Sequence, residues 1–119
     1  MQASRFAVIA IAALGIATTG FVHAQDKAKE RAPVVKVLLE NDKVRVTEAT
    51  VRPGDVSRGP RAARTNYFIK GGSFERTLSD GKKTRYERKT GTAVWLAPDS
   101  DVVMNVGKTT IKLISVVQK

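Results

Sequence analysis

The sequence predicts a small all-β fold, a sandwich or barrel with a jelly roll as the first choice in that class. Two observations carry this. After residue 24, about eight short runs rich in Val, Ile, Thr and aromatic residues are separated by Pro, Gly, Asn and Asp turns. In the same region no capped segment of helical period and useful length occurs. Internal repeats and low-complexity stretches are absent, so a solenoid is not expected.

The chain opens with a different pattern. Arg5 precedes an apolar run from Phe6 to Ala17, and Val22-His23-Ala24 puts small residues where a signal peptidase reads. This is the three-part pattern of a secretory signal helix, residues 1–24, with cleavage after Ala24. The run is shorter than the roughly 20 residues a membrane-spanning helix needs, so no transmembrane anchor is expected after cleavage. The expected location is periplasmic or secreted. Residues 25–33 are polar and charged and read as a mobile linker. The β domain is expected over 34–118.

Val34 to Leu39 is the first β-like run, and the turn Glu40-Asn41-Asp42-Lys43 follows. Val44 to Val51 begins with an apolar–polar alternation, as expected of a half-buried strand. Arg52-Pro53-Gly54-Asp55 is a turn, since Pro pre-sets one torsion and Gly accepts a positive one. A basic loop runs from Ser57 to Arg64, and Asn66 to Lys70 is a short strand stopped by Gly71-Gly72. Ser73 to Leu78 alternates with Phe74, Arg76 and Leu78 on one face, and Asp80-Gly81 is a hairpin signal. Lys82 to Lys89 is so charged that it reads as an edge strand. Ala93 to Leu96, Asp101 to Val106 and Thr109 to Gln118 complete the set. In the last, Ile111, Leu113 and Val117 share one face and Ile114 and Val116 the other. Trp95, Tyr67, Phe68 and Phe74 are expected in the core.

Composition narrows the chemistry. Of 119 residues none is Cys and one is His, at His23 in the signal. The domain would therefore have no disulfides, no thiolate or imidazole metal ligands, and no histidine base. No cofactor and no catalytic residue are expected on these grounds. The net charge is +10, and loss of Arg5 with the signal leaves +9. Such a surface favours an anionic partner. For an exported protein that means a small anionic ligand or an anionic envelope polymer, and not nucleic acid.

The opening Glu40-Asn41-Asp42-Lys43-Val44-Arg45-Val46, then Gly54, Gly71-Gly72, Gly91, Trp95, Pro98 and Asn105, resemble the turn and motif positions of a small single-domain cupin, an RmlC-like jelly roll. The resemblance spans roughly residues 34 to 118. It implies a β-barrel, often a homodimer, with three histidines and one glutamate binding a metal. Counted from Gly54, Gly71 or Gly72, and Asn105, those ligand positions fall on Pro60, Ala62, Arg64 (or Thr65) and Asp101. The resemblance therefore implies a cupin whose metal-binding histidines are absent.

Arg58, Arg61 and Arg64 recur every third residue in the central loop. Guanidinium forks suit carboxylate or phosphate, so the three are the candidate anion-binding residues, with Arg52 and Arg76 extending the patch. The plainer alternative is a solvated basic loop. Lys82, Lys83, Arg85, Arg88 and Lys89 form a second cluster, which either binds an envelope polymer or only protects a sheet edge. Asp101 is a candidate ion-pair partner for a loop arginine, Arg64 in particular. The functional expectation is a non-catalytic, metal-free binding module. The alternative is a degenerate or metal-dependent cupin enzyme acting on a small molecule.

Overall fold

The computed structural model describes residues 30–119, in which Arg31–Lys119 form one compact unit. The expected signal, residues 1–24, and residues 25–29 of the expected linker lie outside the described residues. Among the described residues there are nine strands and no helix: β1 (Val34–Glu40), β2 (Val44–Val51), β3 (Val56–Ser57), β4 (Arg64–Lys70), β5 (Gly72–Thr77), β6 (Lys83–Arg88), β7 (Ala93–Leu96), β8 (Val102–Asn105) and β9 (Ile111–Gln118). They form a five-stranded sheet, β1-β2-β9-β4-β7, and a four-stranded sheet, β3-β8-β5-β6. All pairings are antiparallel, and the chain passes repeatedly from one sheet to the other, as a jelly roll does.

The turns follow the expected chemistry. Gly81 has φ +89°, which an L side chain rarely adopts, and it closes the β5–β6 hairpin. Gly71 is required for a different reason. A Cβ there would lie 1.8 Å from the Arg88 carbonyl oxygen, so only glycine lets the end of β4 pass the end of β6. The highly charged β6 is an edge strand. Its position suits its sequence, because charge discourages sheet-to-sheet association.

The buried apolar core is small: Val51, Phe68, Phe74, Ile111 and Leu113. Phe68 meets Phe74 edge to face at 6.1 Å, and Tyr86 stacks on Phe74 at 5.4 Å. Two buried polar residues fasten the chain around this core. Asn105 donates from Nδ2 to the Val51 and Thr109 carbonyls, both at 2.9 Å, and its Oδ1 accepts from Gly107 N. Asp55, with no exposed surface, accepts from Arg31 Nε at 2.6 Å, Arg52 N at 2.8 Å and Arg52 Nε at 3.0 Å.

Several expectations change here. Arg31, expected in a mobile linker, is tied to Asp55 and accepts a hydrogen bond from Val56 N at its carbonyl, so the barrel begins at Arg31. The loop from Ser57 to Arg64 is not wholly loop. β3 precedes it, an Arg61–Asp99 bridge crosses it, and β4 starts at Arg64. Phe68 and Phe74 are core as expected, but Tyr67 is exposed and Trp95 is 67% exposed. The period of two explains both. β4 buries Arg64, Asn66 and Phe68, so Tyr67 between them faces out, as does Thr65, which pairs with Trp95.

Candidate functional site

The inner face of the five-stranded sheet changes character along its length. At one end Val51 pairs with Ile111, and the next inward row is Ala49, Leu113 and Phe68. The following row is polar: Thr47 pairs with Ser115, Ser115 with Asn66. Beyond it stand Arg45 opposite Val117 and Arg64 opposite Leu96. On the outer face the same strands carry a row of Trp95, Thr65, Val116, Val46 and Leu39. At this end of the barrel the usual patterning is partly inverted: Arg45, Thr47, Ser115, Asn66 and Arg64 face inward beside Val117 and Leu96, and the outer row is mostly apolar.

The polar end opens into a cavity of about 610 Å³ between the two sheets, within the usual size range of a ligand pocket. Its lower wall is the apolar core, with Val51, Phe68, Phe74 and Leu113. Six arginines line it: Arg45, Arg58, Arg61, Arg64, Arg76 and Arg88. None of its lining residues is acidic. β1 covers the cavity incompletely: Val35 faces the cavity yet is 58% exposed.

The expected trio is brought to this cavity, but its members differ. Arg58 is on the rim and exposed. Arg61 and Arg64 share Asp99: Arg61 Nη1 bonds its Oδ1, and Arg64 Nη2 its Oδ2 at 3.0 Å. Arg61 also reaches the Ser57 carbonyl at 2.9 Å, so it pins the loop to β3. Burial of Asp99 opposes its charge. The hydrogen bond and charge of Arg64, with the charge of Arg61, outweigh that and hold the carboxyl below the ordinary aspartate range. The expected Asp101–Arg64 pair does not form. Asp101 lies 3.6 Å from Arg76 Nε, and Asp99 takes the loop arginines because the Arg61–Asp99 backbone bridge places it beside them. Arg52, expected to extend the patch, instead holds Asp55.

Arg45 was not among the sequence-derived candidates, and Arg88, expected in the basic cluster of the charged edge strand, lines the cavity instead. Arg45 sits 3.9 Å from Glu40, and the Arg88 guanidinium lies over the Tyr86 ring at 4.7 Å. Arg76 stands over the same ring at 5.2 Å. Leaving Arg58 aside, five cavity guanidiniums face Asp99, Asp101 and, at 3.9 Å, Glu40, whose nearer partner is Lys119 at 2.9 Å, so positive charge is in excess. The signal for Arg76 was its place on the Phe74 face of an alternating strand. For Arg45 there was none, since alternation puts the flanking valines inside.

Two buried polar atoms of the lining have no hydrogen-bond partner: Asn66 Oδ1 and Arg76 Nε. Asn66 is only 9% exposed. A buried acceptor or donor left unpaired costs about 1–3 kcal/mol.

The positions that the cupin resemblance assigns to metal ligands do not fit a metal. Pro60 and Ala62 line the cavity without a donor atom, Arg64 is a cation, and Asp101 faces Arg76. Among the described residues no three His, Cys, Asp or Glu side chains converge. A divalent ion here would meet cationic guanidiniums and at most one carboxylate.

No family model matches the chain, and no curated protein matches it. Solved structures do. A cupin domain from Bordetella pertussis Tohama I superposes with a TM-score of 0.66 at 18% identity, covering 76% of this chain and 97% of that one. An RmlC-like cupin family protein with a double-stranded β-helix fold, from Methanocaldococcus jannaschii, gives 0.58 at 18% identity over 76% and 83%. A polyketide cyclase from Streptomyces resistomycificus gives 0.58 at 17% identity over 76% and 69%. The fold is therefore the cupin jelly roll, the double-stranded β-helix. At these identities the likeness is one of fold.

Proposed function

We propose that this cupin-fold domain is a binding module for a small organic anion, which it takes into the arginine-lined cavity. The observation that carries the reading is the partly inverted patterning of the barrel end. A structural core would place Val46, Ile114 and Val116 inside, where their burial stabilises the fold. Here Arg45, Thr47, Ser115, Asn66 and Arg64 take most of the inward positions, beside Val117 and Leu96, around a cavity with an excess of positive charge. Fold alone does not define a function, and the reading rests on this site.

Without imidazole, thiol or a fitting metal set, the domain binds its ligand and does not transform it. Arg45, Arg76 and Arg88 supply the charge, and Arg61 and Arg64, held by Asp99, shape the rim. The signal-like residues 1–24 support export, so the ligand would be met outside the cytoplasm. The exposed cations of β6 are the second place an anionic polymer could dock, but an open edge strand offers no enclosed contact.

The test is thermal unfolding of the purified protein against a panel of carboxylates, phosphates and divalent metal salts. A ligand held at 100 times its Kd stabilises by about 2.7 kcal/mol. For a domain of this size that is a rise of about 10–20 °C in Tm. A rise with at least one organic anion, reduced in Arg76→Gln and Arg88→Gln, is the expected result. A rise with a metal salt alone, or retention of one equivalent of iron, zinc or manganese after purification, overturns the reading.

A further inference from the structure

We infer that the anion the cavity takes is amphiphilic: an apolar, ring-bearing carboxylate that also carries a hydroxyl, whose proton is donated to Asn66 Oδ1. This rests on the anion-binding reading above and specifies its ligand class. The unpaired atoms of the cavity set the polar ends. Arg76 Nε lacks an acceptor, since Asp101 Oδ2 at 3.6 Å is beyond hydrogen-bond reach, and the cavity offers no other acid. A ligand carboxylate meets that need and shares the charge of Arg88 across the Tyr86 ring. Asn66 Oδ1 lacks a donor, although Asn66 is more than nine-tenths buried. An O–H on the ligand satisfies it.

The body of the ligand follows from the wall between these ends. Phe68, Phe74 and Leu113 are buried, line the cavity and carry no polar side-chain atom. An inorganic oxyanion would reach the arginines but leave that wall and most of the 610 Å³ uncovered. A sugar acid would set several hydroxyls against that buried apolar wall without partners, which is costly. A flat or puckered apolar ring covers the wall and spans from a guanidinium to the amide. Specificity of this kind resides in the polar end, because a site built to receive one hydroxyl rejects the analogue lacking it far more strongly than a pocket rejects a methylene.

The experiment is calorimetric titration of the purified protein with cinnamate, its three ring-hydroxylated isomers, the matching methoxy compounds, and inorganic phosphate. The expected result is that the best hydroxycinnamate binds at least tenfold tighter than cinnamate and than its own methoxy analogue, and that phosphate binds most weakly. In Asn66→Ala the hydroxyl preference falls to within twofold while cinnamate still binds. In Arg76→Gln all the acids weaken together. Equal binding of hydroxylated and plain acids by the unaltered protein overturns the inference and leaves the anion reading standing, as does phosphate binding as tightly as the acids. If no anion binds, both readings fall. The comparison among ligands on the unaltered protein decides the matter even if Asn66→Ala does not fold.

Discussion

Asp55 carries more of the structure than its place in a Pro-Gly turn implies. Its carboxylate accepts from Arg31 and Arg52 side chains and from a main-chain N–H, and its own carbonyl accepts from Asn105 N at 3.1 Å. Asp55→Asn removes the charge and turns an NH2 toward these donors. Breaking a buried pair in this way costs several kcal/mol, and with Arg31 half in water the expected loss is about 2–4 kcal/mol. Urea unfolding measures it; a loss below about 0.5 kcal/mol would contradict this account. Gly71→Ala makes a second residue-scale test. The added methyl meets the Arg88 carbonyl at a distance no side chain tolerates, so β4 and β6 must part, and destabilisation of about 2 kcal/mol or more is expected. Unchanged Tm in that variant would show that the β4–β5 turn is less constrained than drawn. Turn glycines were legible because their chemistry is local, and Asn105 only through its place in the family pattern, since its side chain reaches Val51 54 residues away. The partners of Asp55 and Asp99 were not, because Arg31 lies 24 residues away and Arg64 lies 35.

Strands were legible as elements because alternation and turn residues mark them, and the start of β2 at Val44 and its end at Val51 match the sequence reading. What alternation cannot reveal is which of two faces is inside. In β2 the natural choice puts Val44 and Val46 inward, and the fold does the reverse, with Arg45 and Thr47 lining the cavity. The same ambiguity sent Trp95 and Tyr67 to the core on paper and to the surface in the molecule. The central loop is an element of a different sort, held by long-range contacts. Asp99 joins Arg61 and Arg64 through its side chain, and its backbone exchanges hydrogen bonds with Arg61 at 2.8 and 3.2 Å. A double-mutant cycle of Asp99→Asn and Arg64→Gln should give a coupling of about 1–2 kcal/mol, and Asp101→Asn with Arg64→Gln none. Asp99→Asn also frees two guanidiniums at the rim. If the rim takes part in anion capture, affinity for an organic carboxylate rises in that variant while stability falls; a parallel fall in both would confine the arginines to fastening the loop.

Across the whole molecule, the charge balance predicts how stability depends on pH. The one histidine, His23, lies in the signal-like segment, so no side chain of the barrel has an ordinary pKa between pH 5 and 8. Asp55 and Asp99 are both shifted. Burial works to raise each carboxyl, but the arginine hydrogen bonds and charges prevail and hold both below the ordinary aspartate range. A carboxyl whose folded pKa lies below its unfolded one adds stability that is fully present above the unfolded value, about pH 4. That stability is lost as pH falls through the depressed folded-state value. Protonation also strips the barrel of counter-charges while its arginines stay cationic, so repulsion among the cavity guanidiniums grows in the same window. The Tm should be nearly level from pH 8 to 5 and fall steeply between pH 4 and 2. The Asp55→Asn protein should start lower and fall less, because one of the two titrating clasps is already gone. A Tm that drops between pH 7 and 5, or that holds within a few degrees down to pH 2.5, would show that these two aspartates do not govern the barrel's acid limit.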